Sequence, residues 1–363
     1  MTRSADVVVI GAGVIGVAIA AELRRRHPAR RVTVLEKEHA AGEHASGRNS
    51  GVLHAGFYYT ADSLKARFSR VGNTRMRAWC GARGLRLACT GKLVVARDAG
   101  ELAGLDELSR RAAANGVELH TIDAAEAHRI EPRARTFERA LWSPTTATVD
   151  PAEVMADRLA RTAGFSRHYR ILPFKGLYLH SSEPPGAFRT HVYPVPNLAN
   201  PFLGVHLTVS VDGHAKIGPT AIPCLWREQY DWLHGFRAGE AAAIVADMAR
   251  LCVGAGFDFR GLALEEARKY HRPTLVARAA ALAHGIRAED YTRWGRPGIR
   301  AQLLDVRDRT LVQDFRLEGD ERSLHVLNAV SPGFTCALPF ADFVCDTGER
   351  LRAGGAPVTA GKD

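Results

Sequence analysis

The chain is predicted to be an α/β protein, in which a Rossmann-like nucleotide-binding domain is joined to a second, α+β domain built on an antiparallel sheet. Two observations carry this expectation. Residues 7–36, VVVIGAGVIGVAIAAELRRRHPARRVTVLE, run from a β-branched strand (Val7 to Ile10) through Gly11-Ala12-Gly13-Val14-Ile15-Gly16 into an Ala/Leu-rich helix. A second apolar strand, Val32 to Leu35, follows and ends on Glu36. From Ile171 onward the pattern changes to short alternating apolar stretches, ILPFKGLYLH, HVYPVP and FLGVHLTVSVDGHAKIG, with a hairpin signal at Asp212-Gly213.

Each position of the first unit has a physical task. Gly11 permits the tight turn, Gly13 lets the backbone approach a pyrophosphate, and Gly16 lets the helix pack closely on the strand. The first-turn amides, including those of Val14 and Ile15, face the phosphates. Glu36 lies twenty residues beyond Gly16, where a carboxylate accepts hydrogen bonds from the ribose hydroxyls, with Lys37 beside it. This unit alone does not separate FAD from a nicotinamide nucleotide, so a nicotinamide-dependent dehydrogenase stays open at this point.

Beyond Glu36 a polar, glycine-punctuated segment runs from Lys37 to Gly51, and helical patterning follows from Ser63 to Cys80. Gly91 to Ala96 reads as a strand, Glu101 to Asn115 and Asp123 to Ile130 as helices, and Pro144 to Asp150 as a turn-rich connection. Pro151 to Thr162 reads as a helix with proline at its first position. Helices are expected over Ala238–Cys252 and Gly261–His284, then a strand from Leu324 to Ala329, a Ser-Pro-Gly loop and a closing helix.

A 363-residue chain with 46% hydrophobic and 24% charged residues suits a globular protein of two domains. The longest apolar stretch, Val7 to Ala21, is broken by glycines and closed by Glu22, short of a bilayer span. Only Met1 to Asp6 precede the first strand, so no signal or transit peptide is expected. The expected location is the cytoplasm, with peripheral attachment at the inner face of a membrane left open. The formal charge of +10 is mainly arginine, as in RRRHPARR at 24–31, and is not interleaved with aromatics, so no nucleic-acid partner is expected. It would draw in dianionic substrates. The six cysteines show no metal-ligand spacing, and neither a metal nor a disulfide is expected.

Set beside the first unit, Ala45-Ser46-Gly47-Arg48-Asn49-Ser50-Gly51-Val52-Leu53-His54-Ala55-Gly56-Phe57-Tyr58-Tyr59 makes the chain resemble the L-2-hydroxyglutarate oxidase/dehydrogenase family, within the D-amino-acid-oxidase-like FAD-dependent oxidoreductases. Ser63-Leu64-Lys65-Ala66, Gly91-Lys92-Leu93, Pro173-Phe174-Lys175-Gly176, Tyr193-Pro194-Val195-Pro196, Pro201 to Thr208 and Gly298-Ile299-Arg300-Ala301-Gln302 extend the resemblance over nearly the whole chain. It implies FAD as cofactor, a discontinuous FAD-binding domain over 1–84, 148–172 and 321–363, and a substrate domain over 85–147 and 173–320. It also places Ser46, Arg48, Asn49, Ser50 and Gly51 beneath the isoalloxazine, and Ser331, Pro332, Gly333 and Thr335 at a helix N-terminus whose dipole stabilises negative charge on the reduced flavin.

The chain departs from the family pattern in one place. Family members carry a further section of the flavin domain before the PF(K/R)G strand, including a strand that meets the adenine. Here Thr162-Ala163-Gly164-Phe165-Ser166 runs almost directly into His168-Tyr169-Arg170-Ile171-Leu172. An internal deletion near 162–171 would truncate the parallel sheet and open the adenine side of the cofactor.

Oxidising a 2-hydroxy acid needs a hydride acceptor, a base for the hydroxyl proton and cations for the carboxylates. His54 and His206 are the candidate bases, since an imidazole titrates near ~6.5. Arg300 and Lys175 are the candidate carboxylate binders, Arg300 because a planar guanidinium can clamp a carboxylate with two hydrogen bonds. Tyr58 and Tyr193 are expected to donate hydroxyls. Three readings follow: an FAD-dependent oxidase or dehydrogenase of L-2-hydroxyglutarate, with oxygen or a quinone as electron acceptor; a related amino-acid oxidase; and an internally deleted, impaired or non-enzymatic binding protein.

Overall fold

The computed structural model describes residues 4–149, 168–198, 202–233 and 235–358. The helix expected over 151–162 and most of the junction at 162–171 fall outside these residues.

The first unit folds as its pattern dictates. Strands Val7–Ile10 and Val32–Leu35 pair in parallel, Val7 opposite Val32 and Ile10 opposite Leu35, with helix Val14–Arg26 between them. Gly11 adopts φ +97°, a conformation that disfavours a side chain. A Cβ on Gly16 would lie 1.9 Å from the Gly11 carbonyl oxygen, so the turn and helix can touch only because Gly16 has none. The closing helix, Gly333–Arg352, packs against both Val14–Arg26 and Leu64–Gly81. Its contact with the latter is equally close, for a Cβ on Gly72 would meet the Thr335 carbonyl oxygen at 2.1 Å. Ile15, Leu53, Phe68, Phe315 and Phe340 fill this core. Ser63 caps Leu64–Gly81, its side chain accepting from Ala66 N.

Among the described residues the parallel sheet has these two strands alone. Among the described residues, strand Leu324–Asn328 pairs only with Arg316–Gly319, antiparallel, and does not join it. Ile10 on one side and Val326 and Leu327 on the other line a common cavity, so a gap separates the two pieces of sheet. Val8 and Ile10 are each 48% exposed and Leu35 51%, values foreign to strands that a doubly wound fold buries on both faces. The truncated sheet expected from the short junction is what the described residues form.

The second body is built on an eight-stranded sheet in the order Arg293–Trp294, Leu179–His180, Ala215–Gly218, His206–Val209, His191–Pro194, Lys92–Val95, Arg139–Ser143, His120–Asp123. It is antiparallel except for one pair: His191–Pro194 runs parallel to Lys92–Val95, with His191 opposite Lys92. The Asp212-Gly213 hairpin forms, Gly213 taking φ +84°. One refinement concerns the strand region, which divides between two sheets. Tyr169–Gly176 pairs along its full length with Gly298–Asp305 in a separate four-stranded sheet, flanked by Ile222–Pro223 and Thr310–Leu311. A second concerns Gly261–His284, expected as one helix, which breaks into Phe259–Arg268 and Arg272–Ala280. Pro273 has no amide to continue the first helix and sits in the opening turn of the second. Pro144 to Asp150, expected as a connection, contains a short strand, Ala147–Thr148, paired with Val52–Leu53.

Among the described residues no helix is long and apolar enough to cross a membrane. Cys80, Cys224, Cys336 and Cys345 are buried thiols, whereas Cys89 is exposed.

Candidate active site

A cavity of about 510 Å³ runs from the first βα turn to the four-stranded sheet. At one end it is lined by Gly11, Val14, Ile15, Glu36 and Lys37, in the middle by Ser46, Arg48, Asn49 and Ser50, and at the other end by His54, Tyr178 and Arg300. Ser331, Pro332, Gly333 and Thr335 close it from the N-terminus of the final helix.

The nucleotide end is built from backbone donors around one carboxylate. Glu36 Oε2 accepts from Ala12 N at 2.7 Å, and Oε1 accepts from Lys37 N at 2.8 Å and Glu38 N at 3.1 Å. Burial opposes its ionisation, but these donors win and its pKa falls below the ordinary value. Gly13 precedes the first helical residue in extended backbone, and Ser46 Oγ lies 3.5 Å from Val14 N. Asn49 fixes the middle of the floor, its Oδ1 accepting from Gly51 N and its amide donating to Ala45 O and Ser46 O. A Cβ on Gly51, at φ +77°, would meet the Val149 carbonyl oxygen at 1.9 Å. Gly13, Gly16 and Gly51 shape the turns from behind and do not line the cavity.

One wall was not legible in the sequence. Residues Arg227, Glu228, Tyr230, Arg237 and Glu240 line the cavity opposite Glu36 and His44. Lys37 pairs with Glu228 at 3.2 Å. His44 Nε2–H donates to Glu38 at 2.9 Å, so its Nδ1 accepts the Tyr230 hydroxyl at 2.9 Å. The Arg48 guanidinium lies 4.3 Å over the Tyr230 ring.

At the far end the structure sorts the predicted catalytic residues into two groups. His54 and Arg300 line the cavity. His54 is held by its backbone N–H, which donates to Thr335 Oγ1 at 3.1 Å, and its buried Nδ1 has no partner among the described residues. Burial, then the charge of Lys92 and the influence of His191 and Arg300, hold its pKa well below the ordinary value, so it is neutral. The half-buried Arg300 packs 5.4 Å over the Phe202 ring, and no carboxylate pairs with it among the described residues.

His206, Tyr58 and Tyr193 are buried behind this end and do not line the cavity. His206 stacks on Tyr193 with centroids 3.8 Å apart and donates from Nδ1 to Gly204 O at 2.9 Å. Lys175 is not in the site either. Its register partner is Ile299, whereas that of Arg300 is Phe174, and side chains alternate along a strand. Lys175 and Arg300 therefore project from opposite faces of one sheet. Tyr178, just past the end of the Lys175 strand, lines the cavity in its place. A reading of period two from Lys175 past the strand end could not have found it, since the chain leaves the sheet at Gly176.

These residues fit FAD. The Gly11–Gly16 turn and helix N-terminus suit its pyrophosphate, Glu36 its ribose, and Ser50, His54 with its orphaned nitrogen, and the N-terminus of Gly333–Arg352 its isoalloxazine. Among the described residues no cluster has the make-up of a metal site.

The comparisons agree with this geometry. A family signature described as "DAO: FAD dependent oxidoreductase" matches residues 6–164. The fold aligns with the FAD-bound L-alpha-glycerophosphate oxidase of Mycoplasma pneumoniae at a TM-score of 0.72 and 17% identity, covering 99% of this chain and 97% of that one. It aligns with the glycine oxidase of Geobacillus kaustophilus at 0.67 and 19%, covering 96% and 95%. The chain has the fold of an FAD-dependent oxidoreductase. In sequence it is 31% identical to L-2-hydroxyglutarate dehydrogenase of Salmonella houtenae, covering 96% of this chain and 94% of that protein. It is 32% identical to the mitochondrial enzyme of Nematostella vectensis, covering 94% and 90%. It belongs to the L-2-hydroxyglutarate dehydrogenase family. The Salmonella alignment spans 407 positions, more than the 363 residues of this chain, so that relative carries residues with no counterpart here.

Proposed function

We propose that the chain oxidises a short dicarboxylic 2-hydroxy acid, L-2-hydroxyglutarate, to 2-oxoglutarate. The observation that carries this reading is the pairing, at one end of a single cavity, of a neutral histidine with an arginine that no carboxylate among the described residues occupies. When bound, FAD supplies the hydride acceptor. The protein's part is to hold the substrate and move one proton. Arg300 clamps a substrate carboxylate, Tyr178 flanks it, and the His54 imidazole accepts the hydroxyl proton as the C2 hydrogen leaves as hydride. Lys175, Tyr58, Tyr193 and His206 take no direct part.

The FAD-binding domain is assigned to 1–84, 148–172 and 321–363 and the substrate domain to 85–147 and 173–320; the apolar cluster around Leu93, Val192 and Leu275 lies wholly within the second, whereas the cluster around Ile15, Phe68 and Phe340 crosses the division through Ala147, Phe315 and Leu317. The electron acceptor in this reading is oxygen or a quinone. The test is anaerobic bleaching of the protein-bound flavin by L-2-hydroxyglutarate, its D enantiomer and amino acids. Reduction by the L-hydroxy acid is expected. Faster reduction by an amino acid would overturn the substrate.

A further inference from the structure

Lys92 is fully buried, and its amine has no hydrogen-bond partner among the described residues. Few positions are so costly for a lysine, because an unpaired ammonium out of water loses its hydration with no acceptor in return. The strand register explains where it points. Lys92 lies opposite His191 in the parallel pair and opposite Ser143 in the antiparallel one, on the face shared with Val94, Leu141 and Tyr193. There its nitrogen sits 4.2 Å from the centre of the Tyr193 ring, 5.1 Å from Tyr58 and 5.7 Å from Phe57. Three aromatic faces replace the missing acceptors. The other face of this arrangement is the His206 ring, stacked on Tyr193 at 3.8 Å and 13°.

We propose that Lys92 is a positioning residue for the proton-accepting end of the site: its caged nitrogen fixes the Tyr193 ring and, through it, the stacked His206 ring behind the end of the cavity that His54 lines. This inference rests on the assignment of His54 as the proton acceptor. The groups facing this point from each neighbouring element are consistent with it. His54 and Tyr58 come from the segment after Val52–Leu53, His191 and Tyr193 from one adjacent strand, His206 from the next, Arg300 from the four-stranded sheet, and Lys216 acts on His191. No carboxylate is among the groups acting on His54 or His206. After burial itself, Lys92 is the largest influence on both rings. Burial also brings Lys92 down to about 7, so its own charge is poised to change near neutrality. His191 is spoken for, its Nδ1 accepting from Val209 N and its Nε2 meeting Thr90 and Thr148 hydroxyls.

The experiment follows the histidine ring protons and the lysine side-chain carbons of the full chain by NMR across pH, in wild type, Lys92→Met and Lys92→Arg. Lys92→Met should raise the titration midpoints of His54 and His206, and Lys92→Arg should leave them low. In a folded Lys92→Met chain, unchanged midpoints overturn the proposal. The wild-type chain gives an independent reading if the methionine variant does not fold. The His54 and His206 signals should show an inflection at the pH where the Lys92 carbon titrates, and its absence overturns the proposal. If the midpoints move but L-2-hydroxyglutarate does not reduce the flavin, the substrate assignment fails and the role of Lys92 stands. If the substrate is oxidised and the midpoints do not move, the reverse holds.

Discussion

The Thr335 hydroxyl ties the two ends of the chain together at the active site, accepting from His54 N at 3.1 Å and facing Val52 O at 3.4 Å across more than 280 residues of sequence. His54 and Val52 are both buried, so neither backbone group can turn to water. Thr335→Val keeps the shape and removes both partners, which should cost about 1–3 kcal/mol of stability. Thr335→Ser should restore most of it. Thermal melts of the three proteins check the size, and the valine variant should also show slower flavin reduction because His54 loses its anchor.

Gly16→Ala should be more damaging than an ordinary helix alanine. Alanine is normally the better helix former by ~1 kcal/mol. Here its Cβ would lie 1.9 Å from the Gly11 carbonyl oxygen, so the helix must move away from the turn that holds the pyrophosphate. The expected outcome is loss of both melting temperature and bound FAD, read from the flavin-to-protein absorbance ratio. Unchanged FAD content would show that the turn does not hold the cofactor.

Arg300→Lys should raise the KM for L-2-hydroxyglutarate by roughly tenfold to a hundredfold, the equivalent of a charge-assisted hydrogen bond or two. Lys175→Ala should change it by less than about twofold, because Lys175 does not line the cavity, although its register partner Ile299 does. Equal effects from the two variants would refute this placement.

The contrast between these two cations marks what the sequence could convey. The first βαβ unit was legible because strand, turn, helix and acid are local and their spacing is set by backbone geometry. Helix Leu64–Gly81 was legible for the same reason, with Ser63 as its cap. Arg300 and Lys175 lie more than a hundred residues apart, and whether they share a face depends on a register of one residue. Tyr178, Tyr230 and Arg237 reach the cavity from loops, where no periodicity announces direction. The cage around Lys92 needed a parallel strand pairing that nothing in the local pattern of either strand specifies.

Stability should fall steeply in mild acid. His54, His191 and His206 are fully buried and burial is the first cause that holds each below its ordinary value. Above the unfolded histidine pKa of ~6.5 both states are neutral and contribute no slope. Below it the unfolded chain takes up protons that the folded chain refuses, so stability is lost as pH falls, by about 1.4 kcal/mol per pH unit for each histidine. Lys92 acts in the same direction at higher pH, since unfolding restores its proton between about 7 and its ordinary range and stability rises with pH there. Urea midpoints from pH 5 to 8 measure this. A flat profile below pH 6.5 would mean that the three rings are solvated or already protonated in the folded chain.

The divided parallel sheet should make cofactor retention and solubility the weak points of this chain. Strand Val7–Ile10 pairs on one side only among the described residues, and Val8, Ile10, Val34 and Leu35 present apolar side chains at or near that edge to solvent. Unpaired edges and exposed apolar patches invite association. The same gap lies on the cavity between Ile10 and Val326, so the described residues cover a nucleotide there less than a continuous sheet would. Binding at ~100 times the dissociation constant adds about 2.7 kcal/mol of stability, and weaker binding removes part of that. The chain should therefore purify with less than one FAD per molecule, take up more on titration, and gain melting temperature as it does. Val8→Lys should reduce aggregation with little change in melting temperature, because that side chain is 48% exposed and does not line the cavity. A version carrying a family-length insert at Gly164 to Ser166 should retain FAD through purification. If the unmodified chain already holds one FAD per molecule and stays monomeric at high concentration, the two strands suffice to close the site and the edge is covered by a contact outside the described residues.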